Sequence, residues 1–203
     1  MLDQKLNFFF KPVLTKFAII LLKYEISPNQ ITLFSFILGI LCFIFLSLGM
    51  IYIALIFFIL NRFFDGVDGT LARLKKPTDL GGFYDIISDF LIYALLPFGF
   101  ILFDNNNFLS MSLLLTSFIG TCATFLTTAW IFEKKKIKIE QLSKKSFFYS
   151  EGLIEGAETI ILFILMFVFY EVASFIAWIF ALLCFLTAIM RVVKVSKILN
   201  SIN

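Results

Sequence analysis

Residues 31–60 read ITLFSFILGILCFIFLSLGMIYIALIFFIL. No charged residue occurs in these 30 positions, and about 20 apolar residues suffice to cross the hydrocarbon core of a bilayer as a helix. The run is too long for one span. Gly49 lies near its middle, so the reading splits there into a span over Ile31–Leu48 and a second helix from Ile51, joined by a turn of two or three residues. Two antiparallel helices inside a membrane set the fold class: all-α, with lipid as the solvent for most of the surface.

Composition agrees. The chain has 203 residues, 61% of them apolar, with 29 phenylalanines and only 15% charged residues. Mean hydropathy is +0.99. A soluble domain carries about a quarter charged residues, so polar side chains are too few here to cover a water-facing surface. The length leaves room for six spans with loops and for no separate soluble domain.

Working outward, residues 2–24 (LDQKLNFFFKPVLTKFAIILLKY) alternate apolar residues at helical spacing with lysines. That pattern predicts an amphipathic helix lying in the membrane interface, over 1–26, rather than a span or a cleaved signal peptide. Ser27-Pro28-Asn29-Gln30 stops it and caps the next helix. The second span continues past Asn61, Arg62 and Asp65 to about Arg73, and Lys75-Lys76-Pro77 with Gly81-Gly82 read as a loop. Further spans are expected at about Phe83–Phe103, with Pro97 and Gly99 as candidate kink positions, and at Leu109–Ile131, Leu153–Tyr170 and Val172–Val193. A basic loop covers 133–150. Residues 27–203 thus form a six-helix bundle, and 1–203 one membrane domain.

With six spans, all 17 Lys and Arg residues fall on one side or on helix ends facing it, while the opposite loops carry only Asp104 and Glu171. The positive-inside rule makes that side cytoplasmic, with both termini on it. Lys134, Lys135, Lys136, Lys138, Lys144 and Lys145 then fix topology and attract anionic lipid. Arg191 either snorkels at its helix end or reaches the site. Nothing favours nucleic-acid binding.

There is no histidine, which removes Ser-His-Asp and Cys-His schemes and every His-ligated metal. Cys42, Cys122 and Cys184 sit in apolar runs without ligand spacing. The acids are informative. Asp65 and Asp68 are i,i+3 on one helix; Asp85 and Asp89 are i,i+4 on the next. The short connection makes those helix ends neighbours, so four carboxylates converge at the cytoplasmic end of the bundle. Acids within spans are costly and functional by default, whereas Asp79 reads as a solvated helix-end residue. Mutual repulsion means that either some are protonated or cations neutralise them; oxygen-only ligation suits Mg²⁺ or Mn²⁺, two ions being expected, with phosphate oxygens in the vacant positions. Gly66, Gly69 and Ala72 leave a bare strip where a nucleotide or pyrophosphate approaches the backbone, and Arg73 lies further along it.

These residues carry a resemblance. Asp65-x-x-Asp68-Gly69-x-x-Ala72-Arg73 followed by Gly81-x-x-x-Asp85-x-x-x-Asp89 resembles the signature of the class-I CDP-alcohol phosphatidyltransferase family. One departure is visible: seven residues separate Arg73 from Gly81, where the family usually has eight. Pro28-Asn29-x-Ile31-Thr32 is also family-like, and Gly82-Phe83-x-Asp85-Ile86, Pro97-Phe98-Gly99-Phe100 and Gly152-Leu153-x-Glu155-Gly156 look like a bacterial inner-membrane branch. The resemblance implies six spans after a membrane-surface helix, usually as a homodimer. It implies transfer of a phosphatidyl group from CDP-diacylglycerol to a small polar alcohol with release of CMP, although some members use CDP-choline or CDP-ethanolamine. Carried over, Asp65, Asp68 and Asp85 bind the metals with Asp89 as a further ligand and as general base, and Gly69, Ala72, Arg73 and Gly81 contact the CDP moiety.

Glu151, Glu155 and Glu158 are spaced i, i+4, i+7 at the start of the fifth span. Glu155 and Glu158 are expected to line the acceptor or CDP pocket, where acids suit a neutral polyol or an amine better than a phosphorylated acceptor. Two readings compete with an enzyme of this family: a carboxylate-lined cation transporter, and a larger intramembrane prenyltransferase. Neither explains the Asp-Gly-x-x-Ala-Arg strip.

Overall fold

A computed structural model describes residues 2–136 and 152–202. Among them are seven α-helices and no strand: α1 Leu2–Lys23, α2 Pro28–Ser47, α3 Ile51–Lys75, α4 Asp79–Phe103, α5 Phe108–Lys134, α6 Gly156–Val168 and α7 Ala173–Ile202. The chain is an all-α polytopic membrane protein. Four stretches are long and apolar enough to cross a membrane: α2, α4, Asn105–Lys134 containing α5, and Tyr170–Ser201 containing most of α7. The remaining two helices of the bundle differ for physical reasons. The second half of α3 carries Arg62, Asp65, Asp68, Arg73 and Lys75, and α6 has only 13 residues.

The α2–α3 hairpin forms as the sequence predicts. Gly49 has φ +80, a left-handed turn that glycine adopts without a Cβ clash. At the other end of α2, Ser27 and Gln30 form a reciprocal capping box, with the Ser27 N–H donating to Gln30 Oε1 at 2.8 Å. Lys75 Nζ donates to the Ile26 carbonyl at 2.8 Å, tying the end of α3 to the α1–α2 turn.

Several expected boundaries shift. Gly81 and Gly82 are not loop residues: α4 begins at Asp79, because the Thr78 hydroxyl accepts from the Gly81 N–H at 3.1 Å and closes the first turn. Helix α4 runs as one element through Pro97 and Gly99, where a Cβ on Gly99 would meet Leu46 Cδ2 at 2.8 Å. The fifth helix starts at Gly156 rather than Leu153. The Leu153 and Ile154 N–H groups instead donate to Thr187 Oγ1 on α7, each at 3.1 Å, while that hydroxyl donates to the Leu183 carbonyl. Helix α7, the expected sixth span, continues through the expected tail to Ile202. Most of the 133–150 loop, with Lys138, Lys144 and Lys145, and Glu151 lie outside the described residues.

The core is aromatic. Phe58, Phe100, Phe163, Phe167 and Phe180 are fully buried, with ring centroids 5.2–5.8 Å apart along Phe100–Phe167, Phe58–Phe163, Phe58–Phe167 and Phe163–Phe180. Lipid tails are as apolar as these rings, so van der Waals fit and geometry hold the helices together more than burial from water. Polar contacts then carry weight, and Thr187 is the clearest. Thr187→Val strands the Leu153 and Ile154 N–H donors in a half-buried site, and each orphan costs about 1–3 kcal/mol. The expected result is a melting temperature in detergent several degrees below wild type, measured by thermal denaturation; an unchanged value would mean water replaces the hydroxyl.

Candidate active site

Helices α3 and α4 both pack on α2, and their acidic side chains meet across the space between them. Asp65, Asp68 and Asp85 each offer a carboxylate oxygen, and these oxygens lie within 4.8 Å of one another. Asp68 is 3% exposed, and its Oδ2 has no hydrogen-bond partner. A buried carboxylate oxygen left without a donor is expensive, and three converging carboxylates compound the cost. An oxygen-ligated divalent cation answers both problems, so the residues present fit Mg²⁺ or Mn²⁺.

A cleft of about 480 Å³ opens beside this cluster, lined by Asp68, Gly69, Ala72, Arg73, Gly81 and Asp85 among others. All four residues that the resemblance assigns to the CDP moiety therefore border one space. Gly69 adds no side chain to its wall. A Cβ there would touch Arg73 Nη1 at 3.6 Å, while the Arg73 guanidinium folds back to donate to Thr70 Oγ1 at 3.1 Å. A Cβ on Gly81 would crowd Asn29 Oδ1 and Thr78 Oγ1, both at 3.1 Å. Asn29 and Thr32 also line a neighbouring groove of about 520 Å³ between α2 and α4, whose walls include Leu33, Phe36, Ile87 and Leu91. A cleft lined by charged and hydroxyl side chains thus adjoins an apolar lateral groove.

Asp89 has another partner. Its Oδ1 accepts from Arg62 Nη1 at 2.8 Å, and the same nitrogen donates to the Tyr93 hydroxyl at 3.0 Å and lies 3.7 Å from Asp65 Oδ2. Asp89 is not part of the three-carboxylate cluster. It lines two cavities: one of about 470 Å³ walled by α4–α7 and including Tyr93, Thr121, Glu155, Thr159 and Arg191, and one of about 410 Å³ that it shares with Arg62 and Asp65. Arg191, left open by the sequence, borders this cavity and donates from Nη1 to the Thr121 carbonyl at 3.0 Å and to Thr124 Oγ1 at 3.2 Å.

Glu155 and Glu158 do not share a helix face. Glu155 is the N-cap of α6 and Glu158 its N3 residue, joined in a reciprocal capping box. The Glu155 side chain also accepts from the Gly152 N–H at 2.8 Å, and the Glu155 N–H donates to Glu158 Oε2 at 3.2 Å. Glu155 borders the Asp89 cavity; Glu158 is not among its lining residues.

Sequence reasoning missed Arg62. In the sequence it reads only as a charge in a span, although an arginine at that depth signals a fixed partner. Its i,i+3 relation to Asp65 was legible, but the shorter contact crosses to α4.

Known proteins place the chain. The pattern of the CDP-alcohol phosphatidyltransferase family matches residues 25–190. The inner membrane protein YnjF of Escherichia coli (strain K12) is 46% identical over 193 residues, 95% of this chain and 94% of that protein. A bifunctional IPC transferase and DIPP synthase of Thermococcus kodakarensis is 40% identical over 70 residues, 34% of this chain and 16% of its own length. In fold, the chain matches the crystal structure of Mycobacterium tuberculosis phosphatidylinositol phosphate synthase PgsA1 with CDP-DAG bound, at a TM-score of 0.73 and 17% identity, covering 91% of this chain and 94% of the other. The chain belongs to the CDP-alcohol phosphatidyltransferase family.

Proposed function

We propose that this protein transfers a phosphatidyl group from CDP-diacylglycerol to the hydroxyl of a small, uncharged polyol or amine-bearing alcohol, releasing CMP. It does so at the cytoplasmic face of a bacterial inner membrane. The observation that carries the reading is the buried, partnerless Asp68 Oδ2 within a three-carboxylate cluster, at the edge of the cleft lined by Gly69, Ala72, Arg73 and Gly81.

In this reading Asp65, Asp68 and Asp85 hold one or two Mg²⁺ or Mn²⁺ ions. A metal held there would supply positive charge to neutralise a pyrophosphate and to stabilise charge developing on it. Gly69 and Ala72 admit the nucleotide close to the α3 backbone, Gly81 keeps the facing turn of α4 low, and Arg73 supplies a cation to phosphate. The α2–α4 groove holds an acyl chain, so the donor stays in the bilayer throughout. Asp89 is the general base. It takes the acceptor hydroxyl proton while that oxygen attacks the lipid-side phosphorus, and the phosphorus–oxygen bond to CMP breaks. The acceptor enters the Asp89 cavity, where Glu155 provides a hydrogen-bond acceptor for hydroxyl or ammonium groups. Glu158 supports Glu155 through the capping box.

Helices α2–α7 make six spans of a single domain over 1–203, with α1 in the interface, both termini cytoplasmic and two copies forming a homodimer. The inner-membrane placement of the 46% identical relative supports the location. A cation transporter or a CDP-choline-type transferase is less well supported, since the former needs no nucleotide cleft and the latter no apolar groove reaching it.

The test supplies purified protein, Mn²⁺ and CDP-diacylglycerol with a panel of alcohols, and reads product mass. Uncharged polyols or amino alcohols are expected to yield phosphatidyl products, and glycerol phosphate is not. Glu155→Ala is expected to raise the acceptor KM about tenfold with kcat nearly unchanged, alongside about 1 kcal/mol of stability lost with the cap. Unaltered acceptor kinetics would remove Glu155 from the pocket.

A further inference from the structure

Asp89 and Tyr93 are i,i+4 on α4 and share one face of it. Both line the cavity of about 470 Å³ walled by α4–α7, and both line the cavity of about 410 Å³ that also holds Arg62 and Asp65. The carboxylate and the phenol thus stand together where the two spaces meet. One nitrogen ties them: Arg62 Nη1 donates to Asp89 Oδ1 at 2.8 Å and to the Tyr93 hydroxyl at 3.0 Å.

Packing fixes the phenol. Its ring stacks on Phe163, with centroids 6.1 Å apart and planes 17° from parallel, and Phe163 is fully buried. The Arg62 guanidinium lies 5.0 Å from the ring centre. A tyrosine hydroxyl has one proton to give and lone pairs that accept. Arg62 occupies a lone pair, and a guanidinium accepts nothing, so the phenol proton is left for another partner. Among the described residues none takes it. A hydroxyl that receives a hydrogen bond from a cation is polarised toward donating its own. One turn of α4 therefore presents a carboxylate that accepts and a polarised hydroxyl that donates, both bordering the acceptor cavity.

That pair suits two adjacent oxygens of one small molecule. The attacking hydroxyl gives its proton to Asp89. The Tyr93 proton belongs on a second oxygen, because a hydrogen bond donated to the attacking oxygen would draw away the electron pair that forms the new bond. An ammonium cannot fill that second place: it has only donors, and the Arg62 charge stands beside it. We propose that the Tyr93 hydroxyl is a specificity determinant that donates to an oxygen neighbouring the attacking hydroxyl, and so selects a polyol acceptor over an amino alcohol. The proposal rests on the reading of Asp89 as the base and of the α4–α7 cavity as the acceptor site, and it narrows the acceptor class of that reading.

The experiment compares ethylene glycol with ethanolamine, which differ only in a hydroxyl against an ammonium. Saturation-transfer NMR titrations on purified protein with Mg²⁺ read the affinity for each, in wild type and in Tyr93→Phe, a variant that keeps the ring against Phe163 and Arg62. Wild type is expected to bind ethylene glycol more tightly than ethanolamine. Tyr93→Phe is expected to bind ethylene glycol about tenfold more weakly than wild type does, the effect of one lost hydrogen bond, with ethanolamine changed by less than about twofold. In turnover with CDP-diacylglycerol, the ratio of kcat/KM for ethylene glycol to that for ethanolamine is expected to fall about tenfold. A merely structural role would lower both acceptors alike and leave the ratio unmoved. Mn²⁺ affinity, read by paramagnetic resonance, is expected to be unchanged. The inference is overturned if wild type binds ethylene glycol no better than ethanolamine, or if Tyr93→Phe weakens both alike. It is also overturned if Tyr93→Phe weakens Mn²⁺ binding, which would make Tyr93 a support of the acids. An intact binding contrast with no CMP released would strike the proposed reaction and leave the acceptor preference standing.

Discussion

Asp68→Asn is expected to reduce CMP release from CDP-diacylglycerol by a hundredfold or more. A metal clamp supplies several kcal/mol to the developing charge, and each ~1.4 kcal/mol is a factor of ten in rate. Asp68 is the most buried acid of the cluster, and its Oδ2 has no donor to satisfy it. Its loss therefore removes a ligand that no nearby group replaces. The same substitution has a second consequence of opposite sign. Removing a buried carboxylate charge crowded by two others relieves a standing cost, so the metal-free variant is expected to melt no lower than metal-free wild type. Added Mg²⁺ is expected to raise the melting temperature of wild type through binding linkage and to leave Asp68→Asn unmoved. A protein that loses activity by misfolding would instead melt lower in both conditions.

Asp89→Asn is expected to lower kcat by about 10²–10⁴, the usual contribution of a positioned general base, with CDP-diacylglycerol still bound. The separation follows from placement. Asp89 borders the α4–α7 cavity, whereas the CDP cleft is lined by Asp68, Gly69, Arg73 and Asp85 and does not include it. Equilibrium binding of a CDP-lipid analogue beside steady-state kinetics would check this. Loss of donor binding in proportion to kcat would make Asp89 part of the donor site and contradict the assignment.

Much of this site is local along the chain, which is why it can be read from the sequence. Asp65 and Asp68 share a helix face by spacing alone, as do Asp85 and Asp89, and one short connection brings the two helices together. What escaped depends on contacts across helices. Arg62 reaches Asp89 over 27 residues of sequence, and no spacing rule foresees one guanidinium nitrogen lying between Asp89 and Asp65. Gly81-Gly82 carries a turn signal, yet a threonine cap three residues before Gly81 draws both glycines into α4. Glu155 has the wrong chemistry for a favoured N-cap. Its helix begins there because Thr187, more than 30 residues away, takes the N–H groups that would have started it earlier. The acidic face expected to include Glu155 and Glu158 gives way to a capping box, and of these two Glu155 borders the cavity.

The most direct test of the central claim is CMP release by purified protein from CDP-diacylglycerol and the alcohol panel, with and without divalent cation, beside Asp68→Asn. The account predicts CMP and a phosphatidyl product in equal amounts, only with Mg²⁺ or Mn²⁺ and only with Asp68 intact. CMP release that persists in excess chelator, or that is equal in the two proteins, would contradict it.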